Sequence, residues 1–522
     1  MHYSGMSKSN FKYDDQGRAI LGSAKEMAAW VKLGFEEQEK RKNLDIPYNQ
    51  HFIDLRKCVL YVSYPIDSET PTSQIFNLCD LAGIVPGIEN LEDDPNFLFE
   101  VKLDIRFDGS ILYGNFFHYV KFDGMVSMDE VTVRNTFSCF KCLFLGYVYM
   151  QSIHLTKGFT YEQCDFSKGL IMSGSKVGGI NAQFNNCQIK ERLSLSSVSF
   201  TNQLHSNPIE LKNSLVANLN ISKINTDGIP FYIQNTTIDG MKMDNLKMDG
   251  VLGFNTCILD GIITAVKDED SPNNLIKELL LHSCNVKAQY HIENCDIGKV
   301  AFTFGKIEDS GRLRLSQCNV GELLIGSASI YGQMDVMENT ISTVDLVESC
   351  VPGFLNFQSN NVQEYANRQT IRLLKNEALK VNDEVSAIHL YAKEMQSLLS
   401  DKSISSADKV SLRLNKLFSS YGENWIKAIG VTLFFSVVLT FLMLGFGSAK
   451  YAFDISGEFI GLGSFVTIML DSINVFSIPL FSDTIKEYGL NVFGQILYFV
   501  IKLVVTYGSY QFVVAFRKHG RS

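Results

Sequence analysis

The sequence predicts a mixed fold: a cytoplasmic right-handed β-solenoid of 11-residue half-coils, a helical hairpin neck, and a C-terminal α-helical transmembrane domain with two spans and a re-entrant segment. Three observations predict it. Residues 101–362 repeat, with a large apolar residue at an 11-residue interval from Ile111 to Phe200 and a looser period over 225–275; apolar residues at helical spacing follow as far as Phe418, and two long runs almost free of charge lie between Trp425 and Phe516. The chain divides accordingly into an N-terminal helical segment (1–50), a cap (51–100), the solenoid (101–362), a helical connector (363–424) and a transmembrane domain (425–522).

With 522 residues the chain has room for several domains, and a net charge of -9 argues against a protein that coats nucleic acid. The opening residues, MHYSGMSKSNFKYDDQGRA, hold no apolar stretch fit for a secretory signal, so everything before Trp425 is expected to stay in the cytoplasm. In that reducing compartment the 11 cysteines are expected as free thiols packed like small apolar side chains.

Ser23 to Lys42 reads as a helix, with Met27, Trp30, Val31 and Phe35 on one face and a solvated EEQEKRK end. In the cap, short strand-like runs (CVLYVSY, NFLFEVKL) alternate with turn-rich pieces. The repeat then begins: Ile111, Phe122, Val133, Phe144, Leu155, Phe166, Val177, Ile189 and Phe200 follow one another at 11 residues, with one step of 12. Within each unit, apolar and polar residues alternate as in a short strand, and Gly, Asn, Asp and Ser fill the corners. Such units cannot bury a face alone. They must stack, and two of them make a coil of 22 to 23 residues. Cys142, Cys164, Cys187, Cys295 and Cys318 each stand two residues before an apolar one, which predicts one inward-facing ladder of thiols along a single wall. No histidine shares the ladder, so packing is the reading preferred over a metal site.

In the connector, Tyr365 to Leu399 reads as one helix with Ile371, Leu374, Ala378, Val381, Ile388, Tyr391, Met395 and Leu398 on its apolar face, and Ser406 to Phe418 as a second. SSYGENW turns directly into the first span, which makes Tyr421, Gly422 and Trp425 the expected coupling residues. Ala428–Gly447 is an uncharged run of 20 residues, about 30 Å as a helix. Gly489–Phe516 has 28 residues and one charge, Lys502. Between them, Phe459 to Ser482 is cut by Asp471 into uncharged pieces of 12 and 11 residues, the second interrupted by Pro479, and both are too short to cross alone. Arg413, Lys416 and Lys427 precede the first span and Arg517, Lys518 and Arg521 follow the last, so both flanks carry the cytoplasmic signature and the number of crossings is even.

Charged and polar groups at bilayer depth tend to face water or a partner, which selects Asp471, Ser472, Asn474 and Lys502 as pore-lining candidates. Two readings of Lys502 stand, a pairing with Asp471 and the lining of an anion path. Gly494 and Gly508 serve either close helix packing or a hinge.

Three stretches, RLLKNEALKVNDEVSAIHLYAKEM, LNKLFSSYGENW and QFVVAFRKHGR, together with the order of the parts, resemble bacterial proteins with pentapeptide-like β-helix repeats and a C-terminal two-span ion-channel-like domain. The repeats depart from clean pentapeptides, and no TVGYG-type filter is present. The architecture is also similar to the membrane effectors of Hailong-type anti-phage systems. That resemblance implies a homo-oligomeric channel, a tetramer or similar, in the bacterial inner membrane with both termini cytoplasmic. It further implies control by a nucleotide or a single-stranded DNA oligomer, and no cofactor. The alternative is a membrane-anchored β-solenoid binding scaffold without channel activity. No phosphate loop, HExxH motif or nucleophile elbow appears, and the acidic residues are scattered, so an enzyme is not expected.

Overall fold

The computed structural model describes residues 7–42, 52–61, 85, 88–91, 97, 99–113, 117–178, 181–201, 207–266, 274–401, 403–447, 462–473 and 489–519. The chain forms two compact units, residues 1–364 and 365–522.

The first unit is a β-solenoid of about eleven turns. One coil of its first half consists of the strands Leu143–Phe144, Tyr147–Gln151, His154–Leu155 and Gly158–Glu162. Each strand pairs in parallel with its counterpart one coil on: Phe144 lies beside Phe166, Val148 beside Leu170 and Leu155 beside Val177. The 11-residue ladder therefore resolves into two columns. Phe122, Phe144, Phe166 and Ile189 stack on one wall, and Val133, Leu155, Val177 and Phe200 on another. Identical side chains at identical register stack face to face, with ring centroids 5.0 Å apart for Phe122 and Phe144 and 4.8 Å for Phe144 and Phe166. Leu112, rather than Ile111, pairs with Val133, because the strand there is one residue out of phase with the ladder.

At the corners the backbone is left-handed half-coil after half-coil, with φ 56° at Glu130, 49° at Lys141, 52° at Ser152, 53° at Gln163 and 53° at Asn186. Such a residue costs about 1 kcal/mol or more, and it is held by its amide. Lys141 N–H donates to the Glu162 carbonyl, Gln163 N–H to Asn185 and Asn186 N–H to Lys212, each at 2.9 Å. Asn and Ser occupy corners as expected, but Lys, Glu and Gln do too, since the bond to the next coil depends only on the main chain.

At the corner before the Phe144 column the next residue is buried and its side chain hydrogen-bonded, which explains the thiols, whereas at the other corner of the early coils it is an apolar Val131 or Ile153. Cys142 Sγ donates to the Phe117 carbonyl at 3.3 Å, Cys187 Sγ to Tyr161 at 3.4 Å, Thr236 Oγ1 to Leu211 at 3.3 Å and Cys257 Sγ to Ile233 at 3.1 Å. Cys, Ser and Thr interchange here because each is small and brings a donor to a buried carbonyl. The single thiol ladder expected from spacing is in fact two. Cys142, Cys164 and Cys187 precede the Phe144 column, whereas Cys295 and Cys318 precede Ile297 and Val320 on the opposite wall. Both corners accept a small donor, Ser175 bonding the Met150 carbonyl at 2.9 Å on the second, so spacing alone does not say which corner a thiol occupies. Burial pushes the Cys139 thiol up to about 11, which keeps it uncharged at neutral pH.

Strand pairing extends back into the stretch read as a cap, where Phe52–Asp54 pairs with Asp104–Arg106 and Cys58–Tyr61 continues the ladder below Ile111. The helix expected near the N-terminus, α1, spans Ala24–Lys42. In later coils two short strands fuse into one of nine residues, as in Lys247–Asn255 and Cys295–Thr303. In some of them a glycine stands at the join, and at Gly298 little else fits, for an added Cβ would lie 2.5 Å from the Lys277 carbonyl oxygen.

The second unit is helical: α2 (Arg368–Lys380), α3 (Glu384–Ser400), α4 (Ser406–Ser419), α5 (Trp425–Gly447), α6 (Leu462–Ile473) and α7 (Val492–His519). The one helix expected over Tyr365–Leu399 is broken into two. Asn382 takes φ 58°, and the Asp383 carboxylate accepts from the Ser386 N–H at 3.0 Å to start α3. Among the described residues, α5 and α7 are the two helices long and apolar enough to cross a membrane.

Candidate functional site

Helices α5 and α7 are held together by small residues. On α5, Ala428, Thr432, Ser436 and Thr440 recur every four residues and are buried, which makes one narrow stripe. Thr432 Oγ1 donates to the Ala428 carbonyl at 2.6 Å and Ser436 Oγ to the Thr432 carbonyl at 2.8 Å, so these hydroxyls are satisfied within their own helix. Gly508 meets this stripe, and Gly494 meets Gly447 at the end of α5. A Cβ on Gly494 would lie 2.3 Å from the Gly447 carbonyl oxygen, and one on Gly508 would lie 1.9 Å from Thr432 Oγ1. The two glycines thus permit backbones to approach closely at both ends of an antiparallel pair.

Asn491, which the sequence reading passed over, ties the far end. Its side chain caps α7 by accepting from the Gly494 N–H at 2.9 Å, while its own N–H and Nδ2 donate to the Gly447 and Phe446 carbonyls at the end of α5. One residue satisfies orphan groups of two helices. An Asn opening an apolar run was the available signal.

Helix α6, with only 12 residues, measures about 18 Å. Ile468 is buried against Met443 and Leu444 of α5 and Tyr498, Ile501 and Val505 of α7, with Phe465 and Ile473 packed on the same cluster. Asp471 sits in its last turn, half-buried, and Lys502 reaches it from the middle of α7. The ammonium donates to the Asp471 main-chain carbonyl at 2.9 Å and stands 5.4 Å from the centre of the Tyr498 ring. A cation thus caps the negative end of α6. Of the other expected pore residues, Ser472 belongs to α6 without a described side chain, and Asn474 lies outside the described residues, as does the apolar piece that follows it.

At the opposite end of the spans, the YGENW junction is a tight turn. Ser420, Tyr421 and Gly422 take φ 50°, 63° and 89° in succession. Ser419 Oγ, buried, donates to Gln511 Oε1 of α7 at 2.9 Å and accepts from the Gly422 N–H at 3.0 Å. Tyr421 is buried, and Trp425 packs edge-on against Phe512 and Phe516. His389 of α3 bonds Glu423 at 2.8 Å, which links the hairpin to the turn. Within the hairpin, buried Glu394 gathers Arg368, Arg372 and Lys375 at 3.6, 3.1 and 2.6 Å. An open groove of about 680 Å³ separates α2 and α3 from the end of α7, with Lys375, Tyr391, Tyr510 and Arg517 among its lining.

No group of acidic, cysteine and histidine side chains among the described residues is arranged to hold a metal ion. No family model, curated protein or solved structure matches the chain.

Proposed function

We propose that the chain is the subunit of an oligomeric ion channel of the bacterial inner membrane, with both termini cytoplasmic, gated through its β-solenoid. The observation that carries this reading is α6. A helix too short to span, packed against two that are long enough, with a carboxylate in its last turn and a lysine from mid-span on its carbonyl end, is poorly used in an anchor. It is well used as a re-entrant pore helix. Two spans per chain enclose no lumen, so the reading requires several copies, with a tetramer as the simplest arrangement. The groove beside Lys375 and Arg517 and the junction at Tyr421, Gly422 and Trp425 lie at the end of the spans where a gating movement would enter. An anti-phage effector controlled by a nucleotide or single-stranded DNA oligomer is the physiological role that fits such a subunit.

The test is ion flux from vesicles holding the full chain, assayed with and without short oligonucleotides and cyclic nucleotides. Asp471→Ala is expected to change conductance or selectivity at least severalfold. Vesicles that stay tight under every ligand, with Asp471→Ala indistinguishable from wild type in cells, would sink the channel. The second reading is a membrane-anchored binding scaffold, favoured by the exposed apolar faces of α5 and α7, which would suffice for anchoring. It predicts that an unrelated anchor in place of residues 425–522 preserves function.

A further inference from the structure

Helix α4 carries apolar side chains where a soluble helix would not. Val410, Leu414 and Leu417 are 55, 41 and 44% exposed and fall on one stripe by their spacing of four and three. The protein-facing side of the helix is a different one: Leu412 and Asn415 are half-buried and Ser419 is buried. Lys409, Arg413 and Lys416 recur at the same spacing of four and three and form a basic row along one flank of the apolar stripe. An apolar stripe edged by a basic row is the pattern of a helix lying in a membrane interface.

The position of α4 in its unit agrees. Its last turn is fixed to the start of α5 and the C-terminal half of α7: Lys427 Nζ of α5 donates to the Lys416 carbonyl at 3.0 Å, Ser419 Oγ donates to Gln511 of α7 at 2.9 Å, and the Phe418 ring reaches further in, onto Phe435 and Tyr507. Lys427 lies two residues past Trp425, about 3 Å along α5, and Gln511, bonded by Ser419, lies near the other helix's basic end, six residues before Arg517. The end of α4 therefore sits at the depth where a bilayer spanned by these helices begins. Trp425 and Tyr510, the aromatic residues expected at such a level, belong to the same end.

We propose that α4 lies in the plane of the membrane interface, with Val410, Leu414 and Leu417 in the acyl boundary and Lys409, Arg413 and Lys416 on the phosphates of anionic lipids. A second copy of the chain is the weaker occupant, because a symmetric contact through this stripe brings two basic rows together. The inference rests on α5 and α7 spanning a membrane, so its test carries an internal control for that reading.

The full chain is reconstituted in vesicles containing brominated phospholipid, with or without phosphatidylglycerol. One variant, Trp30→Phe, leaves Trp425 as the sole tryptophan. The second, Trp30→Phe with Trp425→Phe and Leu414→Trp, reports on α4 alone. Both are expected to lose at least half their emission to bromines placed near the headgroup, and the Leu414→Trp signal is expected to resist acrylamide. Adding Lys409→Gln, Arg413→Gln and Lys416→Gln should remove the phosphatidylglycerol-dependent part. Quenching of Trp425 with none at position 414 overturns the proposal while leaving the spans intact. In that case, sensitivity to acrylamide assigns the stripe to water, and resistance assigns it to a second copy. Quenching at 414 that ignores phosphatidylglycerol in both backgrounds overturns the phosphate contact. Absence of quenching at both positions removes the membrane reading and this inference with it.

Discussion

The two units obtain order in opposite ways. In the solenoid almost every backbone bond of a coil goes to its neighbour, so each residue is placed by its counterpart one turn away, and the core is a column of like on like. In the helical unit each helix satisfies its own main chain. What fixes one helix against another is a handful of exceptions: Gly494 against Gly447, Asn491 across two ends, Lys502 on the carbonyl of Asp471. A repeat distributes its stability over many equivalent sites, and a helical bundle of this kind concentrates it in a few.

That contrast is best broken by substitutions that should act differently in the two units. The largest effect is expected from Phe144→Ala, which removes a fully buried ring from between Phe122 and Phe166 and costs about 3 to 5 kcal/mol. Peptide-resolved hydrogen exchange should show protection lost in the flanking coils first; loss that begins in the helices instead would refute local order in the solenoid. Next, Gly494→Ala gains about 1 kcal/mol in helix propensity. It loses more, about 1 to 3 kcal/mol, because the new methyl meets a carbonyl oxygen that no side-chain rotation can move. A raised melting temperature in detergent would show that the helices separate freely.

Glu394→Gln is expected to cost about 2 kcal/mol, read as faster exchange through α2 and α3. Burial alone would raise the Glu394 carboxyl, but the Lys375 and Arg372 bonds overcome it and hold the group below its usual range. A carboxyl depressed on folding stabilises above its unfolded value, so this contribution persists at neutral pH and is lost only as pH falls below roughly 4. Hairpin exchange that already quickens between pH 7 and 5 would contradict it. The smallest effect belongs to Cys164→Ser, within about 1 kcal/mol, because the hydroxyl keeps the donor that the corner carbonyl needs. Cys164→Ala, which removes that donor, should cost more, and the reverse order in thermal denaturation would show that thiol packing outweighs the bond.

The same contrast explains what the sequence reveals. The 11-residue interval announces the solenoid because one period governs its coils between Ile111 and Phe200, and the apolar runs announce α5 and α7 because composition alone marks them. Period does not show phase: the thiols at Cys187 and Cys295 look alike in sequence and stand on opposite walls. Nor does it show a break made by local chemistry, as at Asn382 and Asp383, where an apolar pattern runs unbroken through a change of helix. The candidate site was half legible. Asp471 and Lys502 stand out as charges in apolar runs, but that the ammonium would reach a main-chain carbonyl depends on α6 ending beneath it.

The left-handed corners have one more consequence. Lys141, Gln163, Asn186, Asn213, Asn235 and Thr256 hold that backbone through main-chain bonds, and their side chains are exposed in a line along one edge. The demand on those side chains is therefore set by the left-handed φ, which suits Asn and burdens a β-branched residue such as Thr256. Where Asn follows Asn the edge also bonds to itself, Asn235 Nδ2 donating to Asn213 Oδ1 at 3.1 Å, so the row reads as a polar seam laid over the main-chain ladder.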